Sequence, residues 1–445
     1  MQRYYTRLCL LVFFFIILTA FSETKSQTIE ATWNEITITS AKPLPRGGAS
    51  AIYDPIGDRV ILFGGWSGVS YDSLNDTWEF NLTSSTWSEI TTTGALPPER
   101  VAHVAVYDSL LHRMIIFAGS NWWQTWYNDV WALDLTSHKW EELQTSSTKP
   151  ENRFSHCGIY YPKNNSVIIF GGCCGNIYNN WLSNEVWELN LNSLQWTLKN
   201  TFGESPFPRD CVTSVVDIVN SDMIIFGGGG CSDIRALNLN TYYWRKLKDF
   251  GSNRWDHESV FDPLKRQMIA VAGWGGPNFC DVFDVETNSW LDVVTTSTIP
   301  PDRSVPAVIY DLTNQRVIMF GGGIDLWTSL DDTWELSLRS KFTLSIEPEP
   351  LIAGQYATFT TANGEDYTNT YLTYSLNGLG SYYSSFLNVV LDLSNPKLAG
   401  VPEISDYRGE ANWVLMVPPS VSGFNIWFQA VQYGMATNVV ATFIQ

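Results

Sequence analysis

The chain has 445 residues, of which 44% are hydrophobic and only 16% charged, a balance that excludes a wholly disordered protein. Its net charge of −18 excludes a protein that binds nucleic-acid phosphates, since such binding needs a basic surface. Aromatic residues make up 14% of the chain, and with 32 glycines and 20 prolines they favour short strands and tight turns. We therefore expect an all-β protein.

The first 26 residues have the pattern of a secretory signal peptide. Arg3 and Arg7 supply positive charge before the apolar run 8–20, and small residues such as Ser22 and Ser26 follow it. The run is short for a membrane span, and no later segment is apolar for long enough to cross a bilayer. We expect a secreted or cell-surface protein with no membrane span after signal removal.

Residues 30 to 340 contain six copies of one pattern, repeated at intervals of about 50 residues. In each copy an apolar strand ends in a pair of small residues, at Gly64-Gly65, Ala118-Gly119, Gly171-Gly172, Gly227-Gly228, Ala272-Gly273 and Gly321-Gly322. A tryptophan closes each of the first five copies, at Trp87, Trp140, Trp196, Trp244 and Trp290. Markers that recur in phase indicate repeated supersecondary units.

The third copy shows the pattern most completely, with Arg153, then Ile168 to Gly172, then Asn184 to Trp187, and finally Trp196. This order of strand, double glycine, aromatic residue and closing tryptophan resembles the kelch repeat family, whose period is about 50 residues. The resemblance implies a β-propeller in which each repeat forms a four-stranded blade. Elementary physics agrees, because one such sheet cannot bury both faces alone, whereas sheets arranged radially bury one another.

The ends of the repeat region predict the number of blades and the way in which the ring closes. The sixth copy runs through Asp332 to Leu336 but lacks a closing tryptophan strand. A matching strand, Thr32 to Ile36 with Trp33 in it, precedes the first copy. We expect this strand to complete the last blade of a six-bladed propeller that occupies residues 27–340.

The residues beyond the repeats predict a second module. Residues 341–350 end in Glu-Pro-Glu-Pro and are expected to form a stiff, Pro-rich linker. The alternating runs 356–361, 387–393, 412–416 and 425–431 predict seven or eight antiparallel strands. About a hundred residues of this kind fit an Ig-like β-sandwich over residues 351–445.

Each repeat also carries one arginine and one acid at fixed positions. The arginines could form a ring near the central channel that receives an anionic ligand, or each could hold an acid and keep its blade in register. Presence in every repeat favours the structural interpretation. The arginines are Arg46, Arg100, Arg153, Arg209, Arg254 and Arg303, and the acids are Asp76, Asp129, Glu185, Asp233, Asp281 and Asp332.

The sequence contains no motif that points to catalysis, a metal or a cofactor, and we expect none of them. His103, His156 and His257 each follow a repeat arginine by three residues and are interpreted as repeat positions. No HExxH spacing, P-loop or nucleophile elbow occurs. A pair of glycosidase carboxylates stays open as an alternative, because their separation in space has no local motif.

Six cysteines follow the signal region, all in copies three to five: Cys157, Cys173, Cys174, Cys211, Cys231 and Cys280. An even number of cysteines in an exported chain favours disulfides, whose connectivity the spacing leaves open. A propeller places these six positions at one end of the blades. We therefore expect disulfides along one rim.

Aromatic residues in the loops after the small-residue pairs are the strongest functional signal. Large aromatic side chains in loops either pack locally or form a binding patch for sugars or proteins. The ten candidates are Trp66, Tyr71, Trp122, Trp123, Trp126, Tyr127, Tyr178, Trp181, Trp274 and Trp327.

The favoured hypothesis is a non-catalytic module that binds an extracellular carbohydrate or protein through this aromatic face. The alternative is an extracellular sugar-acting enzyme, similar to the sialic-acid mutarotases or the copper oxidases built on kelch propellers, although their active-site residues cannot be placed here. A third hypothesis is a purely structural surface component. A central pocket with unpaired arginine and glutamate would favour the enzyme, whereas an aromatic rim with every arginine paired would favour recognition. The oligomeric state is left open.

Overall fold

The computed structural model describes residues 28–445 except 71, 122, 123, 277, 278, 326, 341, 342, 365, 366, 407, 408 and 434. Within these residues the chain is built of strands, with one short 3-10 helix at Pro419–Val421 as the sole helical element. The expected all-β class is confirmed. The expected signal peptide lies outside the described residues.

The repeat region folds into successive sheets in which strands adjacent in the chain pair antiparallel. The chain begins with β1 (Thr28–Glu35), which joins the last of these sheets. The first sheet comprises β2 (Arg46–Gly47), β3 (Ser50–Asp54), β4 (Arg59–Ser67), β5 (Ser73–Asn81) and β6 (Thr86–Glu89). The second comprises β7 (Thr93–Gly94), β8 (Val104–Asp108), β9 (Arg113–Phe117), β12 (Val130–Asp134) and β13 (Lys139–Glu142), with β10 (Ser120–Asn121) and β11 (Thr125–Trp126) paired in its loop.

The remaining repeats follow the same plan. The third sheet comprises β15 (Cys157–Tyr161), β16 (Ser166–Phe170), β19 (Val186–Asn190) and β20 (Gln195–Leu198), beside a small sheet of β14 (Arg153–Phe154), β17 (Cys173–Asn176) and β18 (Asn179–Leu182). The fourth comprises β21 (Phe202–Gly203), β22 (Thr213–Asp217), β23 (Asp222–Phe226), β24 (Asp233–Asn238) and β25 (Tyr243–Asp249). The fifth comprises β26 (Glu258–Asp262), β27 (Gln267–Val271), β28 (Cys280–Asp284) and β29 (Ser289–Trp290).

The sixth sheet contains the N-terminal strand. It comprises β1, β30 (Asp292–Thr295), β31 (Ala307–Asp311), β32 (Arg316–Phe320) and β33 (Thr333–Ser340). β1 runs antiparallel to β33, with Trp33 opposite Leu336, and parallel to β30. Trp33 is buried and meets Phe279 edge-on at 5.3 Å. The N-terminal strand thus occupies the fourth-strand position that the sixth repeat does not fill itself.

The repeats surround a common axis. Their first strands contact one another in a closed cycle, from β3 through β8, β15, β22, β26 and β31 and back to β3. Residues just before these strands continue the cycle in the backbone: the N–H of Ala102 donates to the carbonyl of Gly48 at 2.9 Å, and the N–H of Ser155 donates to that of Ala102 at 3.0 Å. A closed cycle of antiparallel sheets with the first strands innermost is the arrangement of a β-propeller.

The closing tryptophans join neighbouring sheets. Trp140 lies 4.9 Å from Phe63, and Trp196 lies 4.8 Å from Phe117, so each tryptophan packs on the phenylalanine that the preceding repeat places before its small-residue pair. Trp87 of the first repeat makes the same contact with Phe320 of the sixth at 4.8 Å. Buried aromatic pairs of this kind stabilise a fold beyond the area they bury.

The C-terminal residues form a separate core. One sheet comprises β34 (Thr343–Glu347), β35 (Tyr356–Ala362) and β41 (Asn412–Met416), and a hairpin comprises β37 (Leu379–Ser384) and β38 (Val389–Leu393). Another sheet comprises β36 (Asn369–Ser375), β39 (Lys397–Leu398), β40 (Glu403–Ile404), β42 (Asn425–Gln432), β43 (Met435–Ala436) and β44 (Val440–Phe443). Phe359 and Trp413 of the first sheet share one hydrophobic cluster with Phe428 of the second.

The expected linker at 341–350 is shorter in the structure. Leu344 and Ile346 on β34 are buried in the C-terminal cluster, and β34 pairs with β35 along its whole length. These residues belong to the C-terminal core because their alternating apolar side chains face it. Residues 348–350, which follow β34, form bends and not an extended segment.

Candidate recognition surface

A hairpin of β17 and β18 projects from the third repeat. Cys174 lies opposite Trp181 in its register, and β17 also pairs with β14, which anchors the hairpin to the body of the repeat. At the tip, the side-chain oxygen of Asn176 accepts hydrogen bonds from the backbone N–H groups of Tyr178 at 2.9 Å and Asn179 at 3.1 Å. Asparagine fixes turns in this way, so the tip has a defined shape.

This hairpin carries a cluster of exposed apolar side chains. Tyr178 is 91% exposed and Trp181 is 48% exposed, while Ile177 and Leu182 are each 41% exposed. The Trp181 ring lies against Gly175, where an added Cβ would stand 2.9 Å from a ring atom. We call these four residues, Ile177, Tyr178, Trp181 and Leu182, the hairpin surface. Exposed apolar clusters on an ordered element are typical of binding surfaces.

The structure disperses the other aromatic candidates. Trp66, expected in an exposed loop, is buried because β4 continues past the small-residue pair and carries it inward, so that expectation is wrong for Trp66. Trp126 is half-buried and meets Phe154 edge-on at 4.7 Å. Arg100 lies 4.5 Å above the ring of the half-buried Tyr127.

Five further candidates remain. Trp274 is half-buried and forms a backbone bridge with Trp255. Trp327 is 57% exposed, and its backbone N–H donates to Asp325 at 2.7 Å. Tyr71, Trp122 and Trp123 lie outside the described residues.

Sequence reasoning missed Ile177 and Leu182, because it searched the loops for aromatic residues alone. The signal that could have found them is the pairing of each with an aromatic neighbour, as Ile177-Tyr178 and Trp181-Leu182, on either side of two asparagines.

All six repeat arginines are buried, and each binds the acid of its own repeat. The N–O distances are 2.6 Å for Arg46–Asp76, 2.8 Å for Arg100–Asp129, 3.3 Å for Arg153–Glu185, 2.6 Å for Arg209–Asp233 and 2.6 Å for Arg303–Asp332. Arg254 pairs with Asp281 in the same way. None of the six lines the axial cavities described below. This geometry agrees with the structural interpretation of the arginines.

These ion pairs control the charge of their acids. Burial opposes ionisation of Asp76 and Asp129, but the guanidinium groups of Arg46 and Arg100 outweigh it, and the pKa of each acid is lowered. The indole N–H of Trp78 also donates to Asp76, and that of Trp131 to Asp129, both at 2.7 Å. In these two repeats, groups of the same repeat therefore hold both oxygens of the acid in hydrogen bonds.

The six cysteines are free thiols in the structure, which does not contain the expected disulfides. Cys157 is buried in the cluster that includes Trp244, whereas Cys280 is buried in a different cluster with Trp33. Burial raises the pKa of Cys157 to about 12. Because Cys157 and Cys280 pack into separate inter-sheet cores, these two side chains cannot reach one another.

A channel follows the axis inside the first strands. Its middle part is a cavity of about 190 Å³ lined by serines, Thr213, His103, His156 and Glu258. Among the described residues, no group of three or more His, Cys, Asp or Glu side chains is arranged to hold a metal ion. In the same part of the chain, no helix has the length and hydrophobicity that a bilayer crossing requires.

The fold defines the class as a β-propeller, and the comparisons give the family. Residues 23–228 and 159–349 match the KLHDC2/KLHL20/DRC7 Kelch-repeats domain. The chain belongs to the kelch-repeat family, which confirms the resemblance seen in its sequence.

Relatives share the repeat region at modest identity. The chain is 27% identical over 311 residues to Kelch domain-containing protein 3 of Bos taurus, covering 66% of this chain and 69% of that protein. It is 26% identical over 317 residues to the flagellar outer arm dynein alpha chain of Chlamydomonas reinhardtii, covering 64% of this chain but only 7% of the dynein chain. The solved structure of YjhT has a TM-score of 0.51 at 14% identity and covers 66% of this chain and 95% of its own, a likeness of fold alone.

Proposed function

We propose that this protein is a non-catalytic recognition module, secreted or displayed on a cell surface, that binds a protein partner through the hairpin surface. The observation that carries the proposal is the exposure of four large apolar side chains on one ordered hairpin. Tyrosine and tryptophan dominate the energetics of protein interfaces, since they bury large areas with few rotatable bonds. The adjacent aliphatic Ile177 and Leu182 favour a protein over a sugar.

A glycan is the second candidate ligand. Asn179 and Asn180 are exposed on the same strand as Trp181 and could donate to sugar hydroxyls while the indole stacks on a sugar ring. The sugar-acting enzyme has weaker support, because its expected unpaired arginine is absent from the axial cavities. Every repeat arginine is already committed to an acid.

The proposal includes the finer architecture. We infer that the six repeat sheets are the six blades of one propeller, with β1 completing the last, and that residues 343–445 form an Ig-like sandwich. The closed cycle of first strands supports the first inference, and the core shared by two sheets supports the second. Export rests on the charged, apolar and small-residue order of residues 1–26.

An array of extracellular proteins and glycans, probed with the purified protein, tests the proposal. The informative variant is Tyr178→Ala combined with Trp181→Ala. The matched control is Ile56→Ala combined with Leu110→Ala, which removes exposed apolar side chains from turns at the opposite end of the first strands. We expect a protein hit that the hairpin variant loses and the control keeps. Hits that both variants keep would remove the hairpin from the binding site.

A further inference from the structure

Three cavities along the axis form one continuous channel. The middle cavity shares Ala51 and Ser214 with a wider cavity at the ends of the first strands, and it shares His103, His156 and Glu258 with a smaller one before their beginnings. Their volumes are about 420 Å³ for the wide cavity, 190 Å³ for the middle and 70 Å³ for the small one. The channel therefore narrows toward the hairpin end.

The wide cavity is a funnel of aromatic rings. Equivalent positions near the ends of five of the six first strands supply aromatic lining, and the fourth repeat places Val216 there. The aromatic residues are Tyr53, Tyr107, Tyr160, Phe261 and Tyr310. The hydroxyl group of Tyr53 is hydrogen-bonded to the hydroxyl of Thr313 at 2.8 Å, and the hydroxyl of Tyr160 donates to the side-chain oxygen of Asn165 at 3.1 Å. These two residues therefore offer the funnel mainly ring carbon. A ring of aromatic faces attracts organic cations through the π-electron quadrupole.

The middle cavity contains an uncompensated acid. Glu258 begins β26, and no salt bridge to its carboxyl occurs among the described residues. Burial and the nearby charge of Asp256 raise the pKa of Glu258 to about 8. His103 and His156 line the same cavity, are 5% and 6% exposed, and have ring nitrogens without a hydrogen-bond partner.

The channel lining has acidic groups and no permanent cation. Neither lysine nor arginine lines any of the three cavities, whereas Glu258 and Asp256 do. Burial lowers the pKa of His103, His156 and His257 well below the ordinary value, so these imidazoles are neutral at physiological pH. An anion bound in the channel would have no lysine or arginine to pair with. An ammonium group bound at Glu258 would favour the ionised carboxylate and displace to solvent the proton that this carboxyl holds in the empty site.

We propose that the channel binds a small organic cation, a protonated amine with one aromatic or apolar group. Its ammonium group would lie at Glu258, and its apolar group would lie in the aromatic funnel. A funnel of about 420 Å³ is within the range of small-molecule sites. This channel site uses different residues from the hairpin surface and the opposite end of the propeller, so each can fail without the other.

Isothermal titration of the whole protein with three probes of matched shape tests the charge requirement. The probes are 2-phenylethylamine, neutral 2-phenylethanol and anionic 3-phenylpropanoate. We expect the amine to bind at least about tenfold more tightly than the alcohol, since a charged hydrogen bond in a buried site is worth that factor, and the anion to bind most weakly. Equal binding of amine and anion, or no binding of the amine at millimolar concentration, would overturn the proposal.

Variants locate the site. Glu258→Gln should weaken the amine about tenfold and leave the alcohol unchanged, whereas Glu142→Gln, at an exposed position on β13, should change neither. Tyr107→Leu should weaken the amine more than the alcohol, because it removes one aromatic face. Unchanged melting temperatures of the variants would show that they fold. Amine binding that Glu258→Gln and Tyr107→Leu both leave intact would place the amine elsewhere and refute the channel site.

Discussion

Arg100 and Asp129 form a bidentate ion pair in which two guanidinium nitrogens each lie 2.8 Å from a carboxylate oxygen. The same guanidinium also donates to the carbonyl of Ala118 at 2.9 Å, the first residue of the small pair. Arg100, which precedes the first strand of its repeat, thus contacts the residue after the second strand and the residue before the third strand. The arginine positions are accounted for by this architecture.

Removing the acid should therefore destabilise the propeller. Asp129→Ala leaves Arg100 buried without its counter-charge, which costs about 3–5 kcal/mol in comparable buried pairs. Asp331→Ala breaks the exposed pair with Lys42 and should cost less than about 1 kcal/mol. Urea unfolding of the two variants measures the difference. Similar small losses would mean that the arginines are not held by their acids, and the ligand-binding interpretation of the ring would regain support.

Trp33 and Trp181 give a matched test of ring closure and of exposure. Trp33 lies on β1 and is buried in a hydrophobic cluster that β1 shares with the neighbouring repeat. Trp33→Ala should therefore destabilise the protein by about 3–5 kcal/mol. Trp181→Ala removes the same side chain from an exposed hairpin and should change stability by less than about 0.5 kcal/mol. Thermal unfolding compares them directly. Equal losses would contradict either the closing role of β1 or the exposure of the hairpin.

Glu258 should make stability depend on pH. Its folded-state pKa of about 8 exceeds the ordinary 4.5, so the folded protein keeps a proton that the unfolded chain loses between these values. Stability contributed by this proton falls as pH rises through that window. The free energy of unfolding of Glu258→Gln, relative to that of the wild type, should therefore rise by about 1–3 kcal/mol between pH 5 and pH 8. This figure is smaller than the full pKa difference implies, because Glu258 faces a channel that water can enter.

Urea unfolding at pH 5 and pH 8 checks this expectation. The Glu142→Gln variant, with an exposed acid, should follow the wild type at both pH values. A Glu258→Gln variant whose stability also parallels the wild type would contradict the raised pKa. Asp256, whose pKa burial also raises, should leave a residual pH dependence in the Glu258→Gln variant.

The cysteines allow a direct count. Cys157, Cys174 and Cys280 are buried, so a thiol reagent at pH 8 should modify them only after unfolding. The unfolded protein should yield six thiols from residues 27–445, and Cys9 adds a seventh if the first 26 residues are retained. Mass spectrometry after alkylation measures both. Fewer than six thiols in the unfolded, unreduced protein would restore the disulfides predicted from an exported chain.

The periodic part of the structure was predictable from sequence, and the individual loops were not. Phe117, Trp196 and Trp33 recur at fixed phases because the same inter-sheet contact is built in every repeat. Trp66 directly follows its small-residue pair and is buried, whereas Tyr178 lies further beyond its own pair and is exposed. Their difference depends on how far each strand continues past its small-residue pair, and no repeat marker encodes that.

The channel was missed for a related reason. Glu258 stands at a repeat position that is Ser50 in the first copy and Ala307 in the sixth, so nothing local marks it as an acid facing a common axis. Only the closed cycle of first strands brings it together with Tyr107 and His156, which are distant in the chain. Spatial convergence of this kind has no spacing motif.

The central claim is that the hairpin surface binds a partner, and affinity measurement tests it most directly. Surface plasmon resonance with the strongest array hit should show Trp181→Ala weakening binding by about 1–3 kcal/mol, the cost of losing an aromatic anchor. Leu110→Ala, at an exposed position at the other end, should leave the dissociation constant within about twofold, and both variants should keep the wild-type melting temperature. A dissociation constant that Trp181→Ala leaves unchanged, or that both variants change equally, would contradict the proposed recognition surface.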